Sequence, residues 1–375
     1  MRIRAAVLHS SPIAKPYAET RPLRIETIEL DPPGRDEVLV KIAAAGLCHS
    51  DLSVINGDRL RQNPMVLGHE ASAVVVETGP GVTDLAPGDH VVMSFLPTCG
   101  TCPSCMEGRA QLCGPGQAAN GAGLLISGER RLHCDDGTDA YHHCGVSAFA
   151  EYAVISRRSI VKIDPEVPLV DAALFGCAVM TGVGTVVNTC QVKPGQSVAV
   201  IGLGGVGLSS VLGAIAAGAD QVVAIDLSQA KLDLARELGA TDTFLASDPD
   251  IVDKVKEATK GGVDHAIEMA GSAPAFELAY KITRRGGTTA TAGLANPNAR
   301  ISLPPVHLVG EERTIKGSYM GSCVPPRDIP RYIALYKRGR LPVHKLLSGT
   351  GPLEEINAAL DKLDRGEVVR HVITF

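Results

Sequence analysis

The chain has 375 residues, so at roughly 100–200 residues per domain we expect two or three domains. Hydrophobic residues make up 45% and charged residues 21%, a composition that excludes a disordered chain. The net charge of −5, without long single-sign runs, and the 3% aromatic content argue against nucleic acid or an anionic membrane as a partner.

No apolar stretch is long enough for a membrane span, and Met1–His9 alternates like a first strand without the apolar core of a signal peptide. We therefore expect a cytoplasmic protein.

The first part of the chain reads as β-rich. Val38–Ala43 alternates, and Val74–Val76 and Val91–Met93 are short β-branched runs closed by Gly79–Gly81 and Pro87–Asp89. Strands at this spacing, without helical patterns between them, predict an antiparallel or barrel-like domain.

Four cysteines then fall within a lobe predicted at residues 97–115: Cys99, Cys102, Cys105 and Cys113. Four thiolates at this spacing form a closed tetrahedral set typical of structural zinc, whereas the last spacing does not suit the bacterial iron–sulfur run. Because the set is closed, we expect it to stabilise a lobe and take no part in the chemistry. Metal-free thiols are the alternative, and a nucleic-acid-binding ribbon is disfavoured by the acidic charge.

The pattern changes after about Cys177, where strands and helices alternate as in a doubly wound parallel sheet. The predicted elements, in chain order, are a strand at Ser197–Ile201, a helix at Leu208–Ala217, a strand at Val222–Ile225, a helix at Lys231–Leu238, and strands at Val263–Met269 and Thr288–Gly293.

A glycine-rich turn joins the first of these strands to its helix: Gly202-Leu203-Gly204-Gly205-Val206-Gly207. The three spaced glycines suit a tight turn, close approach to a pyrophosphate and helix–strand packing, and Asp226 ends the next strand where it can bind the ribose hydroxyls. A 2′-phosphate would meet this carboxylate, so we expect NAD rather than NADP. The alternative is a ligand-free turn with Asp226 as a cap. Lys231 either adds a cation near the ribose or is a solvated helix lysine.

The tail, from about Ser322, contains helical patterns at Ile329–Arg338 and Glu354–Arg365 and a strand pattern at Val368–Phe375. It is too short for an independent domain, so we expect it to pack on the first domain. The predicted boundaries are 1–178, 179–321 and 322–375.

Three further segments carry candidate metal ligands: Cys48-His49-Ser50-Asp51, Gly68-His69-Glu70 and Gly176-Cys177. Taken singly, each has an ordinary structural explanation, since cysteine is commonly a small buried hydrophobe and a lone histidine is commonly a core residue.

Together with the four-cysteine lobe, the glycine-rich turn, Pro87–Val91 and the closing Arg370–Phe375, these segments resemble the zinc-dependent medium-chain alcohol dehydrogenase family over essentially the whole chain. The resemblance implies an α/β protein with a GroES-like β-rich catalytic domain and a Rossmann cofactor domain. It also implies that Cys48, His69 and Cys177 bind a catalytic zinc with an open fourth position, which gives two zinc ions per chain.

The implied chemistry is the reversible oxidation of primary alcohols, aromatic or medium-chain ones included, to aldehydes. An alcohol has a pKa near that of water, about 16, and zinc lowers the pKa of bound water to about 7. The metal therefore makes a zinc-bound alkoxide available at neutral pH, and this species passes a hydride to NAD⁺.

The resemblance assigns further roles around the cofactor and the proton. Ser50 matches the hydroxyl that starts the proton relay, although a helix-cap role fits its position almost as well. His49 and Arg370 match contacts to the cofactor pyrophosphate. Ser53 stands where relatives often carry the relay histidine, so we expect the proton to leave through water.

Other matching positions surround the catalytic metal. Glu70 matches a carboxylate behind the zinc, and Asp51 matches an acceptor that orients His69. Phe95 and His143 match positions that line the substrate pocket, where His143 replaces an aromatic or aliphatic residue and predicts a more polar channel.

Two alternatives to this function remain. One is oxidation of S-hydroxymethyl thiol adducts of the glutathione type, which is weakened because Gln117 replaces an arginine of that class and Asp58 is displaced by one position. The other is a non-catalytic, nucleotide-binding redox sensor, which would have no physical need for Cys48, His69 and Cys177. Arg300–Gly321 resembles the family's dimer contact, so we expect a homodimer, with a homotetramer as the alternative.

Overall fold

The computed structural model describes residues 1–375, which divide into two compact units. The first comprises Met1–Cys177, Val324–Ala334 and Leu347–Phe375, and the second comprises Ala178–Cys323 and Leu335–Leu346. The tail therefore does not belong wholly to the first unit as expected, because its segment Leu335–Leu346 groups with the second.

The strands, in chain order, are β1 (Arg2–Leu8), β2 (Leu23–Leu30), β3 (Glu37–Gly46), β4 (Met65–Val66), β5 (Glu70–Thr78), β6 (His90–Met93), β7 (Leu132–His133), β8 (Asp139–His142), β9 (Tyr152–Ser156), β10 (Ile160–Lys162), β11 (Ser197–Ile201), β12 (Gln221–Asp226), β13 (Asp242–Leu245), β14 (Val263–Glu268), β15 (Thr283–Thr291), β16 (Thr314–Gly317), β17 (Leu347–Gly351) and β18 (Arg370–Thr374).

The α-helices are α1 (Tyr17–Thr20), α2 (His49–Ile55), α3 (Pro103–Met106), α4 (Gly114–Ala122), α5 (Leu169–Ala173), α6 (Ala178–Gly184), α7 (Gly205–Ala216), α8 (Gln229–Glu237), α9 (Ile251–Ala258), α10 (Ala273–Ile282), α11 (Pro305–Gly310), α12 (Pro325–Lys337) and α13 (Ile356–Asp364). A π-helix, Thr185–Cys190, continues α6.

The first unit combines a closed barrel, β1-β2-β7-β8-β4, with a sheet in the order β10-β6-β5-β3-β18-β17, in which β9 also pairs with β3. Its core is aliphatic, as the low aromatic content requires, and the inward side chains of β3 and β5 pack in it with residues such as Leu360 from α13. The barrel-like prediction is confirmed. The return of β18 to β3 places the chain's last strand beside Ala44–Gly46.

The second unit is a six-stranded sheet in the order β13-β12-β11-β14-β15-β16, with every strand pair parallel. This is the doubly wound order 3-2-1-4-5-6, and it confirms the Rossmann prediction. Val198–Ile201 is fully buried because helices cover both faces, which explains its continuous apolar sequence. Ligands bind such sheets at the carboxyl ends of the strands, beside β11 and β14.

No single helix is long and apolar enough to cross a membrane; one bent pair, Leu169–Gly176 with Ala178–Cys190, passes that test only when both helices are counted together.

Candidate functional site

Three elements of the first unit bring Cys48, His69 and Cys177 together. Cys48 follows β3 and immediately precedes α2, His69 immediately precedes β5, and Cys177 follows a short 3-10 helix. All three side chains are buried, and their donor atoms lie within 4.8 Å of one another. The Sγ of Cys177 is 3.6 Å from the Nε2 of His69.

This donor set fits zinc. Two sulfurs and one imidazole nitrogen are an attested catalytic set, and three protein ligands leave a coordination position for substrate. A hydrogen bond from the Cys177 thiol lowers the pKa of Cys48 well below its usual value despite burial, with help from His69. The site therefore favours a thiolate at Cys48, which is the form that binds metal.

Asp51 forms a hydrogen bond with the ring nitrogen of His69 that does not face the cysteines. Its Oδ1 lies 3.2 Å from the Nδ1 of His69, and its two oxygens accept hydrogen bonds from the backbone N–H groups of Cys48 and Gly68. Burial opposes ionisation, but the two neighbouring histidines outweigh it and lower the pKa of Asp51. A fixed carboxylate at Nδ1 leaves Nε2 available as the metal donor.

Ser50 and His49 lie in the first turn of α2. The residue at the helix N-cap is Cys48, so the helix-cap interpretation of Ser50 does not hold; Ser50 is half-buried. His49 is exposed, and its backbone carbonyl accepts a hydrogen bond from Ser53 Oγ at 2.8 Å.

Phe95 and His143 both pack against the ring of His69 in edge-to-face geometry, with ring centroids at 5.8 Å and 5.2 Å. The family resemblance predicts that both line the substrate pocket, but it did not reveal that the Nδ1 of His143 lies 3.2 Å from Asp51 Oδ1. Burial disfavours protonation of His143, but Cys144 and Asp51 outweigh it and raise the pKa of His143 to about 9.

Glu70 and Arg370 form a buried pair beside this site. The Arg370 Nε lies 3.6 Å from the Glu70 Oε1, and neither carboxylate oxygen has a hydrogen-bond partner. Glu70 is not one of the three residues whose donor atoms cluster, so it does not belong to the donor set as a ligand. Arg370, predicted as a pyrophosphate contact, is buried against this carboxylate.

The four lobe cysteines also converge, with all donor atoms within 4.8 Å. Backbone N–H groups point at the sulfurs: Cys102 donates to Cys99 Sγ at 3.2 Å, and Cys99 donates to Cys113 Sγ at 3.2 Å. The donation from Thr101, followed by that from Cys102, lowers the pKa of Cys99 to about 6. A closed set of four sulfurs with these donors suits a structural zinc.

The glycine-rich turn of the second unit has the geometry that its sequence predicts. Gly202 has a positive φ of 91°, and a Cβ on Gly207 would lie 1.8 Å from the Gly202 carbonyl oxygen. Gly204 is the N-cap residue of α7, and a Cβ there would meet nothing within 4 Å. The first and third glycines are therefore required by packing, and the open space at Gly204 suits a pyrophosphate at the helix N-terminus.

Asp226 ends β12 next to this turn. Its carboxylate accepts hydrogen bonds from the N–H groups of Leu203 at 2.6 Å and Ser228 at 2.9 Å. Lys231 lies half-buried in the first turn of α8, and Gly205, Val206 and Gly207 open α7. The hydrogen bond from Leu203 thus joins the glycine-rich turn to Asp226, and the role of Lys231 stays a prediction.

The same two units are recognised by family models. Residues 34–165 match the alcohol dehydrogenase GroES-like domain, and residues 205–338 match the zinc-binding dehydrogenase domain. The chain belongs to the zinc-dependent medium-chain alcohol dehydrogenase family.

Individual relatives are similar over their full length. The NDMA-dependent alcohol dehydrogenase of Amycolatopsis methanolica is 40% identical over 381 residues, covering 100% of this chain and 99% of that protein. The S-(hydroxymethyl)glutathione dehydrogenase of Escherichia coli O157:H7 is 38% identical over 379 residues, covering 100% of both.

Solved structures agree. Benzyl alcohol dehydrogenase from Acinetobacter calcoaceticus has a TM-score of 0.93 at 32% identity, covering 100% of this chain and 99% of that one. A zinc-binding dehydrogenase from Sinorhizobium meliloti 1021 bound to NADP has a TM-score of 0.81 at 26% identity, covering 100% of both.

The protein is therefore an oxidoreductase that acts on small alcohols or aldehydes with zinc and a nicotinamide cofactor. The prediction of an enzyme is confirmed, and the interpretation as a non-catalytic redox sensor is not supported.

Proposed function

We propose that this protein reversibly oxidises primary alcohols, aromatic ones included, to aldehydes with NAD⁺, and that it binds one catalytic and one structural zinc. The observation that carries the proposal is the buried cluster of Cys48, His69 and Cys177 donor atoms within 4.8 Å. The similarity to a benzyl alcohol dehydrogenase supports including aromatic substrates.

Zinc, when bound, supplies a Lewis acid that stabilises negative charge on the alcohol oxygen. Cys48, His69 and Cys177 hold the ion, and Asp51 keeps His69 in the tautomer that binds through Nε2. The Ser50 hydroxyl accepts the alcohol proton and passes it on. Because Ser53, not histidine, follows one turn later and its hydroxyl donates to the His49 carbonyl, the proton leaves Ser50 through water.

The preference for NAD⁺ is proposed from Asp226. Its carboxylate lies at the end of β12 and is fixed by two backbone N–H groups, so it cannot turn away without losing both hydrogen bonds. Like-charge contact with a 2′-phosphate costs several kcal/mol. The NADP bound to the Sinorhizobium meliloti relative makes a direct test necessary.

The test is a panel of aliphatic and aromatic alcohols with NAD⁺ and NADP⁺ in parallel, following absorbance of the reduced cofactor. We expect turnover of primary alcohols, aromatic ones included, with NAD⁺. Cys48→Ser should lose catalytic zinc and turnover but keep NAD affinity, because Cys48 lies outside the cofactor unit. Absence of turnover in wild-type protein that contains both zinc ions would refute the proposal.

A glutathione-adduct dehydrogenase is the second candidate, since relatives of that activity match the full length. Formaldehyde oxidation with and without glutathione separates the two functions. We expect no stimulation by glutathione, because Gln117 offers no cation for a glutathione carboxylate. Strong stimulation would favour the second candidate.

We also propose a homodimer formed through the second unit. β16 is the free edge of its sheet, and apolar side chains of α11, the preceding element in the chain, are exposed, including Val306 at 69% and Val309 at 83%. An exposed edge strand with an apolar patch favours pairing with a second copy. Light scattering should give twice the chain mass for wild type and the monomer mass for Val309→Asp; a monomeric wild type would refute this assembly.

Cytoplasmic residence is proposed from cysteine chemistry. All ten cysteines are free thiols, and six of them belong to the two candidate metal sets, an arrangement typical of a reducing compartment. Fractionation of expressing cells checks this.

A further inference from the structure

The carboxylate of Asp51 contacts two histidine side chains, those of His69 and His143. The Nδ1 atoms of His69 and His143 each lie 3.2 Å from the same oxygen, Oδ1. All three side chains are at most 5% exposed, so no bulk solvent competes for these atoms. The two imidazole rings also contact each other edge to face, at an interplanar angle of 90°.

The position of His143 is fixed by its own backbone. Its N–H donates to Ser147 Oγ at 3.0 Å, and its carbonyl accepts hydrogen bonds from the N–H groups of Val146 and Ser147. The turn continues through Cys144 and Gly145, both with positive φ. A tight loop thus presents the ring of His143 to Asp51.

The two histidines meet the shared oxygen differently. His69 Nδ1 makes a hydrogen bond to Asp51, whereas His143 Nδ1 lies at ion-pair distance without hydrogen-bond alignment. His143 therefore restricts the movement of the Asp51 carboxylate without disrupting the hydrogen bond between Asp51 and His69. A phenylalanine at this position would keep the ring contact but lose the attraction to Asp51.

We propose that His143 is a positioning residue for the catalytic metal: by sharing Asp51 with His69 and packing against its ring, it fixes the orientation of the ligand imidazole. The inference rests on the proposed function, because it takes His69 as a zinc ligand. Partners of this kind typically change metal affinity by about 10- to 100-fold when they are removed.

The experiment compares His143→Phe with His143→Asn, whose amide can replace Nδ1, in otherwise full-length protein. Zinc affinity is measured by competition with a chromophoric chelator. The ligand field is measured from the absorption spectrum of the cobalt-substituted protein. The spectrum of cobalt-loaded Cys48→Ser protein is subtracted to remove the contribution of the four-cysteine lobe. We expect His143→Phe to weaken catalytic zinc binding by about 10-fold or more and shift the cobalt bands, and His143→Asn to restore most of both.

His142→Phe is the matched control, since His142 is the adjacent buried histidine and accepts from the Arg131 N–H instead of facing Asp51. It should leave the cobalt spectrum unchanged. If His143→Phe does not fold, His143→Leu takes its place with the same expectation.

Wild-type zinc affinity and cobalt bands in the folded His143→Phe or His143→Leu protein would overturn the inference while leaving the proposed function intact. A wild-type protein that binds no cobalt beyond the Cys48→Ser background would instead refute the catalytic metal site itself.

Discussion

Arg370, at the start of the last strand, lies against Glu70, the residue after the candidate ligand His69, with 3.6 Å between Nε and Oε1. The two side chains are 2% and 0% exposed, so neither charge is solvated by bulk water. Burial raises the pKa of Glu70 to about 7, although Arg370 opposes this rise. Burying either residue without the other would therefore lower the stability of the folded protein.

This pairing predicts a large stability effect. Arg370→Met removes the cation beside Glu70 and raises the pKa of that carboxyl further, so at about pH 9, where the unfolded chain is ionised, we expect the unfolding free energy to fall by about 3–5 kcal/mol. The double variant Glu70→Gln/Arg370→Met should recover part of that loss, because the uncompensated charge is gone. Urea unfolding checks both variants. Equal stability of the single and double variants would contradict the coupling.

Much of the fold is readable from sequence because local patterns and tertiary structure agree. The strand Ser197–Ile201 occurs at the predicted residues, and the helix after the turn is α7. The later strand predicted at Thr288–Gly293 is instead Thr283–Thr291, since its first part contains Arg284 and Gly286, which carry no β pattern. The π-helix after α6 was not predicted, because the hydrophobic pattern of a sequence does not distinguish one helix type from another.

The site was predicted less completely. Spacing and family resemblance named Cys48, His69 and Cys177, and the structure brings their donor atoms together. The contact between His143 and Asp51 was missed, because 92 residues separate them and only tertiary structure sets that distance. The run His142-His143-Cys144 next to a glycine was the available signal, but no spacing rule connects it to α2.

The lobe cysteines predict a structural metal that can be removed separately. Cys113→Ser should lower zinc content by one ion per chain and reduce thermal stability, because Cys113 is one of four converging donors. Cys134→Ser is the matched control, a buried cysteine outside both donor sets. Zinc released under denaturing conditions and counted with a chromophore gives the result; unchanged zinc in Cys113→Ser would contradict the assignment.

Asp226 predicts the cofactor preference. Asp226→Asn removes the charge that opposes a 2′-phosphate, so the ratio of kcat/KM with NAD⁺ to that with NADP⁺ should fall by about tenfold or more, equivalent to about 1.4 kcal/mol. Asp233→Asn, which removes an exposed carboxylate on α8, should leave the ratio unchanged. A ratio that does not move in Asp226→Asn would show that selectivity lies elsewhere.

His133 predicts a pH dependence of stability that is independent of the metal sites. Its Nε2 lies 2.9 Å from Asp31 and its Nδ1 lies 2.8 Å from Asp139, so it links the end of β2 to β8 in the barrel. The hydrogen bond with Asp31, supported by Asp139, raises the pKa of His133 above its ordinary value despite partial burial. The folded protein therefore binds this proton more tightly than the unfolded chain does.

A raised folded pKa gives stabilisation that is complete below the unfolded value of about 6.5 and is lost as pH rises through the folded value. The unfolding free energy of wild type minus that of His133→Asn should thus be positive near about pH 5.5 and shrink by about pH 9. Urea unfolding at the two pH values measures the difference. Asp31→Asn should show a smaller version of the same loss, since Asp139 remains. A difference that is constant with pH, or that grows as pH rises, would contradict the charged link, because only protonation of His133 gives it this sign.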